Sequence, residues 1–535
     1  MKIYNPILTG FHADPSILCA RGEYVIANST FEWYPGVELH RSKDLSSWEV
    51  IPSPLNENRL LNMAGNKCSC GIWAPCLSYA DNKYWLIYTN TRSWDDGPWK
   101  DTPNFLTTAE NLEGPWSDPV FMNASGFDPS MFHDDDGKHW FINMEWDYRE
   151  TGARQFSGIL IQEYDDKKKE LVGPVRKIFR GTDIGLVEGT HIFKHNGWYY
   201  ICSAEGGTEY EHAITCARSK NLFGPYEVHP SNPLISSYGH DELQIQRAGH
   251  GQLCMSVDGT KTYLVYLCGR PLDKMGFNAP EKRCVLGRET SISEVVWKDD
   301  WPYVVQPNGE LKNHPSEYIE IEGEGEVAPG EGVKHIAEKY TFENEEFLKE
   351  FKNLREPLAG KYSLSERPGF LRLYGGMTPT GNFGQSILCR RQTDFCFEAE
   401  TKLEFQPVNF QQFAGMTYRY DERLQYLCLV TNNENLGRVL QIFVVLPGAF
   451  ERRIETPLED GPVWIRLNVN GASAVFSFSQ DGKSFRNLRP ILDASKLSDE
   501  FFTQGFTGAF VGMFCTDMIQ YKNYADFEYF RYSKK

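Results

Sequence analysis

Five segments of this chain carry one short pattern, about sixty residues apart. Asp14-Pro15-Ser16 runs into apolar residues, a turn at Gly22 and then Tyr24. Trp73-Ala74-Pro75 leads to Leu77, a turn at Asp81-Asn82 and Tyr84-Trp85. Asp128-Pro129-Ser130 leads to Met131-Phe132, Asp136-Gly137 and Trp140. Glu188-Gly189-Thr190 leads to Ile192-Phe193, Asn196-Gly197 and Trp198-Tyr199, and His250-Gly251-Gln252 leads to Leu253, Asp258-Gly259 and Tyr263. Counted from Asp14, Ala74, Asp128, Glu188 and His250, the steps are 60, 54, 60 and 62 residues. Each unit reads as a strand, a tight turn and an aromatic return strand. A period of that length built from hairpins predicts a five-bladed β-propeller. In a propeller the first strand of each blade lines the axis, so the residues that open those strands converge at one mouth. On this alignment the mouth holds Asp14, Asp128 and Glu188.

A second repeat supports the first. Arg41-Ser42-Lys43-Asp44-Leu45-Ser46-Ser47-Trp48 is echoed by the stretch from Thr108 to Trp116 and by that from Arg218 to Tyr226. These read as outer turns of blades, each ending on an aromatic residue that caps a sheet edge. Around Ile319 to Gly332 the composition turns polar, with Gly323, Gly325, Pro329, Gly330 and Gly332, which predicts a linker. Beyond it come alternating strands of another rhythm, such as Phe397 to Phe405 and Val463 to Val469, with hairpin signals at Asn470-Gly471 and Asp481-Gly482. The expected organisation is all-β: a propeller over 1–318, a linker over 319–336 and an antiparallel β-sandwich over 337–535. Helix signals are almost absent.

With 535 residues two domains are the default. A net charge of −17 disfavours nucleic acid and anionic membrane as partners. The chain's start lacks a basic region followed by an apolar core, and no stretch approaches a membrane span, so a cytoplasmic protein is expected. The thirteen cysteines are scattered without a disulfide spacing, which reads as reduced thiols. Cys68, Cys70 and Cys76 cluster, but no paired ligands complete a zinc site.

Paired carboxylates facing a pocket are the machinery of glycoside hydrolysis, one protonating the departing oxygen and the other handling water or the sugar. A lone Asp-Pro-Ser can be a turn starter. The motif twice in register, with Glu188 at a third such position, points to function, because gathering buried like charges is costly.

The segments Phe11-His12-Ala13-Asp14-Pro15-Ser16, Trp73-Ala74-Pro75, Gly126-Phe127-Asp128-Pro129-Ser130 and Val187-Glu188-Gly189-Thr190 resemble the signatures of glycoside hydrolase family 43. The two-domain length, the run from Glu205 to His212 and Gly287-Arg288-Glu289-Thr290 resemble its β-xylosidase branch. The resemblance implies an inverting, exo-acting enzyme that takes xylose from the non-reducing end of short β-1,4-xylooligosaccharides. It implies Asp14 as general base, Glu188 as general acid and Asp128 as the carboxylate that holds the acid and raises its pKa. It further implies substrate contacts from Phe31, Trp73, Ala74, Trp146, Thr208 and Arg288, and a sandwich loop carrying Phe506 that reaches the active-site mouth. No cofactor is implied for the chemistry, although a calcium ion beside His250 and a homo-oligomer fit the resemblance. Gln252, after His250-Gly251, departs from the smaller residue expected there. The runner-up activity is an α-L-arabinofuranosidase, and the remoter rival is a non-catalytic carbohydrate-binding propeller.

Overall fold

Five antiparallel sheets follow one another along the first three hundred residues, each opened by one of the repeated segments. Their leading strands are Ala13–Ala20, Gly71–Ala80, Ser130–His133, Glu188–His195 and Gln246–Met255. Each pairs with the aromatic return strand next in sequence, and two outer strands complete the blade. The structure is a computed structural model and describes residues 1–94, 97–502 and 505–535. Among these residues there is no α-helix, and no helix long and apolar enough to cross a membrane.

Apolar residues fill the spaces between successive blades. Cys76, Trp85, Ile87, Met131 and Phe141 join the second blade to the third. Tyr200, Ile214, Leu253, Leu264 and Tyr266 join the fourth to the fifth. Ile17, Ile26, Val265 and Ile292 close the fifth onto the first. The outer turns behave as their repeat predicts: Trp48 Nε1 donates back to the carbonyl of Leu45 at 2.9 Å, and the Tyr226 hydroxyl to that of Leu222 at 2.8 Å.

The chain divides into two units: Met1–Glu32, Gly36–Gly269 and Arg288–Lys334 form one, and Trp33–Pro35, Arg270–Gly287 and His335–Lys535 the other. The stretch expected as a linker is built into the first unit. Tyr318–Glu320 pairs antiparallel with Lys2–Tyr4, Glu326–Val327 pairs parallel with the same strand, and Val333–Lys334 extends the first blade beside Trp48–Ile51. Its Gly and Glu content suggested solvated coil, but exposed sheet edges capture short polar segments readily, because backbone groups make the bonds.

The second unit packs a sheet of nine strands, among them Cys396–Phe405, Val463–Asn470 and Tyr524–Lys534, against a six-stranded sheet running from Ser386–Arg391 to Ala449–Pro457. Its core is continuous and aromatic-rich, with Phe397, Tyr418, Tyr426, Phe476 and Phe527. It borrows Trp33–Tyr34 from the first repeat: that strand pairs with Asn353–Leu354, and the Trp33 ring stacks on Phe510 with centroids 3.8 Å apart.

All thirteen cysteines are free thiols, ten of them buried. A reducing agent is therefore expected to leave the melting temperature unchanged in a calorimetric scan. A fall of several degrees would reveal a disulfide, whose loss typically costs about 2–5 kcal/mol.

Candidate active site

The leading strands do not run straight into the mouth. At the head of each, one residue has a left-handed backbone: Asp14 (φ 49°), Ala74 (39°), Asp128 (54°), Gly189 (53°) and His250 (35°). The pairing register slips there, between Ala13 and Ser16, Trp73 and Cys76, Glu188 and His191, and Gly249 and Gly251. These four heads are β-bulges, each of which re-aims a side chain and leaves a residue unpaired, and in the third blade Asp128 lies just ahead of the strand Ser130–His133. Pro15, Pro75 and Pro129 follow the head, where a missing N–H is harmless. Gly251 takes that place in the fifth blade, where a Cβ would lie 1.9 Å from the Val265 carbonyl.

These heads correct the sequence register in one blade. The repeat aligned Glu188 with Asp14 and Asp128, but the left-handed residue of the fourth blade is Gly189. Glu188 occupies the preceding position, that of Ala13, Trp73 and Phe127. An Asp can tolerate the left-handed region and glycine prefers it, so Glu-Gly mimics Asp-Pro in sequence while shifted by one in space. Glu188 still reaches the same cluster from a different angle.

Asp14, Asp128 and Glu188 are 6%, 7% and 6% exposed, buried enough that each environment sets its protonation. Asp14 has both oxygens partnered. Ser29 Oγ donates to Oδ2 at 2.6 Å, and Arg288 Nη1 donates to Oδ1 at 3.1 Å. Ser29 Oγ in turn accepts the Ala74 N–H at 2.7 Å, which fixes its hydrogen toward the carboxylate. Burial alone would push the Asp14 pKa up; Arg288, then His250 and Ser29, more than reverse this and hold it below the ordinary carboxylate range.

Glu188 lies at the opposite extreme. Burial first, then the charges of Asp128 and Asp14, hold its pKa well above the ordinary range. Asp128 is raised too, by burial and then by Asp14, but the Gly189 N–H and Arg288 favour its charged form. Glu188 has only Arg288 acting that way. The two carboxyls titrate as a pair with both pKa values raised, and Glu188 has fewer groups that favour its charged form. His250 Nδ1 stands 3.8 Å from Asp14 Oδ1 and 3.9 Å from Asp128 Oδ2, and burial lowers its pKa.

Aromatic rings wall one side. Phe31 lies 5.9 Å from Trp73 between centroids, and the Arg288 guanidinium lies 5.4 Å from the Phe31 ring. Trp73 meets Trp94 at 5.0 Å and Phe127 edge-on at 5.5 Å, and Trp94 meets Trp146 at 5.4 Å. The expected wall of Phe31, Trp73 and Trp146 is thus one connected group, completed by Trp94 and Phe127. Trp94 had no sequence signal. Phe127 had one, as the neighbour of Asp128, and Ser29 ends the return strand opposite Ala13. Thr208 is half-buried in a turn, and its carbonyl accepts from the Arg247 guanidinium at 2.8 and 3.1 Å. Phe506 belongs to the second unit, where it is half-buried. Gln252, the unexpected residue, accepts the Ile17 N–H on its side-chain oxygen at 3.0 Å and so ties the fifth blade to the first.

A calcium ion takes six to eight oxygens. His250 joins no group of three His, Cys, Asp or Glu ligand atoms within 4.8 Å among the described residues. No step is routed through an ion there. Within the first unit, His12, Glu38 and His40 do form such a group.

Comparison with known proteins shows the family. Residues 3–302 match the model of glycosyl hydrolases family 43, and residues 339–533 match the β-xylosidase C-terminal concanavalin A-like domain. The chain is 44% identical to xylosidase/arabinosidase 43B of Humicola insolens, over 99% of this chain and 97% of that one. It is 42% identical to a β-xylosidase of Bacillus subtilis over the whole of both chains. The crystal structure of a xylan β-1,4-xylosidase from Bacillus halodurans superposes with a TM-score of 0.93 at 44% identity, covering 99% of this chain and 100% of that one.

Gathering these carboxylates has a stability consequence. Groups whose pKa is raised on folding contribute stability below their ordinary pKa and lose it as pH rises through the folded value. For Asp128 and Glu188 the melting temperature should therefore fall as pH climbs upward from the ordinary carboxylate range. Asp128→Asn, which removes one of the opposed charges, is expected to raise the neutral-pH melting temperature by a gain of about 1 kcal/mol and to flatten that slope in scanning calorimetry. A lowered melting temperature would mean that the carboxylate is structurally required.

Proposed function

We infer, for a chain that belongs to glycosyl hydrolase family 43, an exo-acting β-1,4-xylosidase that releases xylose from the non-reducing end of short xylooligosaccharides with inversion. One observation carries this reading. Around a single mouth, Asp14 is held ionised by Arg288 and Ser29 while Glu188 is held protonated by burial and its neighbours' charges. Carboxyl groups pushed apart in this way are an acid and a base. The full-length likeness to the β-xylosidases above supports the sugar.

In this reading Asp14 takes a proton from a water aimed at the anomeric carbon. Its fixed partners leave the carboxylate little freedom to turn away. Glu188 gives its proton to the glycosidic oxygen as that bond breaks, and the water's oxygen bonds the anomeric carbon from the opposite face. Asp128 keeps Glu188 protonated and in place. The Phe31 and Trp73 rings offer apolar faces to the sugar's C–H surface. Arabinofuranoside hydrolysis is the second reading, favoured by the double name of the Humicola relative. Rates on aryl β-xyloside and aryl α-arabinofuranoside separate the two.

The stereochemical outcome is read by proton NMR of fresh hydrolysate. The α-anomer of xylose should appear first from a β-linked substrate, and initial β-xylose would overturn the role of Asp14.

The acid is tested by leaving group. Glu188→Ala is expected to lose about 10²–10⁴-fold on xylobiose, whose leaving oxygen needs protonation. An aryl xyloside with an acidic phenol should lose far less. Equal losses on both would mean that another group is the acid.

A further inference from the structure

Trp146, the outermost ring of the aromatic wall, is also the floor of a second cleft in the first unit, of about 680 Å³. The cleft adjoins the catalytic segment directly. Ser125 and Ala124, which line it, lie just ahead of Phe127 and Asp128. The Trp146 N–H donates to the Ser125 carbonyl at 3.0 Å, and the Met144 N–H to that of Phe127 at 3.1 Å. The ring contacts from Phe31 through Trp73 and Trp94 to Trp146 connect the mouth to this cleft.

Two aromatic residues stand on its rim, bare to solvent. Trp99 is 67% exposed and Tyr148 is 51% exposed, with centroids 6.1 Å apart. Large aromatic rings presented side by side to water mark a binding surface. The charges around them point away from an ionic ligand. Asp147 grips Arg149 through two bonds of 2.8 Å, and Glu145 is engaged by Lys177 and Ser157. Lys100 and Asp101 also line the cleft, and Lys100 Nζ lies 4.6 and 5.3 Å from the Trp94 and Trp146 ring centroids. Exposed ring faces beside polar groups of both signs suit a neutral polyol, which stacks its C–H face and bonds through its hydroxyls.

We propose that Trp99 and Tyr148 form an outer platform for the departing portion of the xylan chain, beyond the unit that Trp146 meets. This rests on the exo-xylosidase reading above, in which only the leaving side of the chain projects from the pocket. The platform makes the enzyme sensitive to chain length. Xylotetraose reaches it and xylobiose does not.

The test compares kcat/KM on xylotetraose and xylobiose for the wild type, Trp99→Ala, Tyr148→Ala and the double variant. The double variant is expected to lower the tetraose-to-biose ratio several-fold, through KM on the tetraose, and Trp99→Phe should retain most of the ratio. An unchanged ratio, or equal losses on both substrates, overturns the platform. Tryptophan fluorescence titrated with xylotetraose in a Glu188→Ala background, where hydrolysis is suppressed, reads the platform by binding alone: weaker binding when Tyr148→Ala is added supports it and equal binding overturns it. The exo-xylosidase reading fails separately, in a wild type that releases no xylose from xylobiose.

Discussion

The site depends on a backbone constraint: one left-handed residue at the head of every leading strand. For an L-residue that conformation costs about 1–2 kcal/mol, and the chain adopts it at Asp14, Ala74, Asp128 and His250, none of them glycine. The bulge is what turns a strand that would otherwise alternate its side chains between blade faces so that the head points into the mouth. The residues just beyond the heads bind the ring together. Ser16 Oγ accepts the Leu77 N–H at 3.2 Å, Ser130 Oγ donates to the Thr190 carbonyl at 2.6 Å, and Gln252 holds the Ile17 N–H. The Cys76 thiol faces the Met131 backbone. Chemistry and scaffold thus occupy adjacent positions of one motif.

Three carboxylates in one buried mouth would titrate alike if only burial acted. They differ because their hydrogen-bond partners differ. Asp14 has hydrogen bonds from an arginine and a hydroxyl, Asp128 has a backbone N–H, and Glu188 has only the distant charge of Arg288 in its favour. That inventory sets Asp14 apart from the other two. His250 assists Asp14 as well, but burial lowers its pKa, so its charge is the weaker support. Arg288 is therefore the counter-charge on which the differentiation turns. Its place just before the strand Glu289–Lys298 is secured by its own carbonyl, which accepts the His12 N–H at 2.8 Å.

Much of this was legible in the chain. The hairpin period carried the blades, because turn residues and aromatic return strands recur wherever that packing recurs. Asp-Pro-Ser carried two of the three carboxylates, since a proline inside a leading strand signals a bulge. The misread steps share a physical cause. Gly189, not Glu188, takes the left-handed turn, and sequence cannot tell which member of Glu-Gly does so. Ser29 and Trp94 were invisible because they act through cross-strand and inter-blade contacts without a motif of their own. The 319–334 stretch was misread because edge pairing is made by backbone groups, to which composition is nearly blind. Trp33–Tyr34 falls in the second unit for the same reason: the strand pairing and ring stacking that place it there lie far off in sequence.

The five heads are equivalent in backbone and unlike in chemistry, and that difference explains the blank among them. Ala74 has the same left-handed backbone as Asp14 and Asp128 but carries no functional side chain. Its contribution is its N–H, which orients the Ser29 hydroxyl toward Asp14. A fourth carboxylate there would raise the pKa values of all its neighbours, eroding the separation between an ionised Asp14 and a protonated Glu188. The uncharged residue at this head is therefore a requirement of the electrostatics, and the fivefold scaffold works as a catalyst because its repeats stopped being alike at the one position that faces the axis.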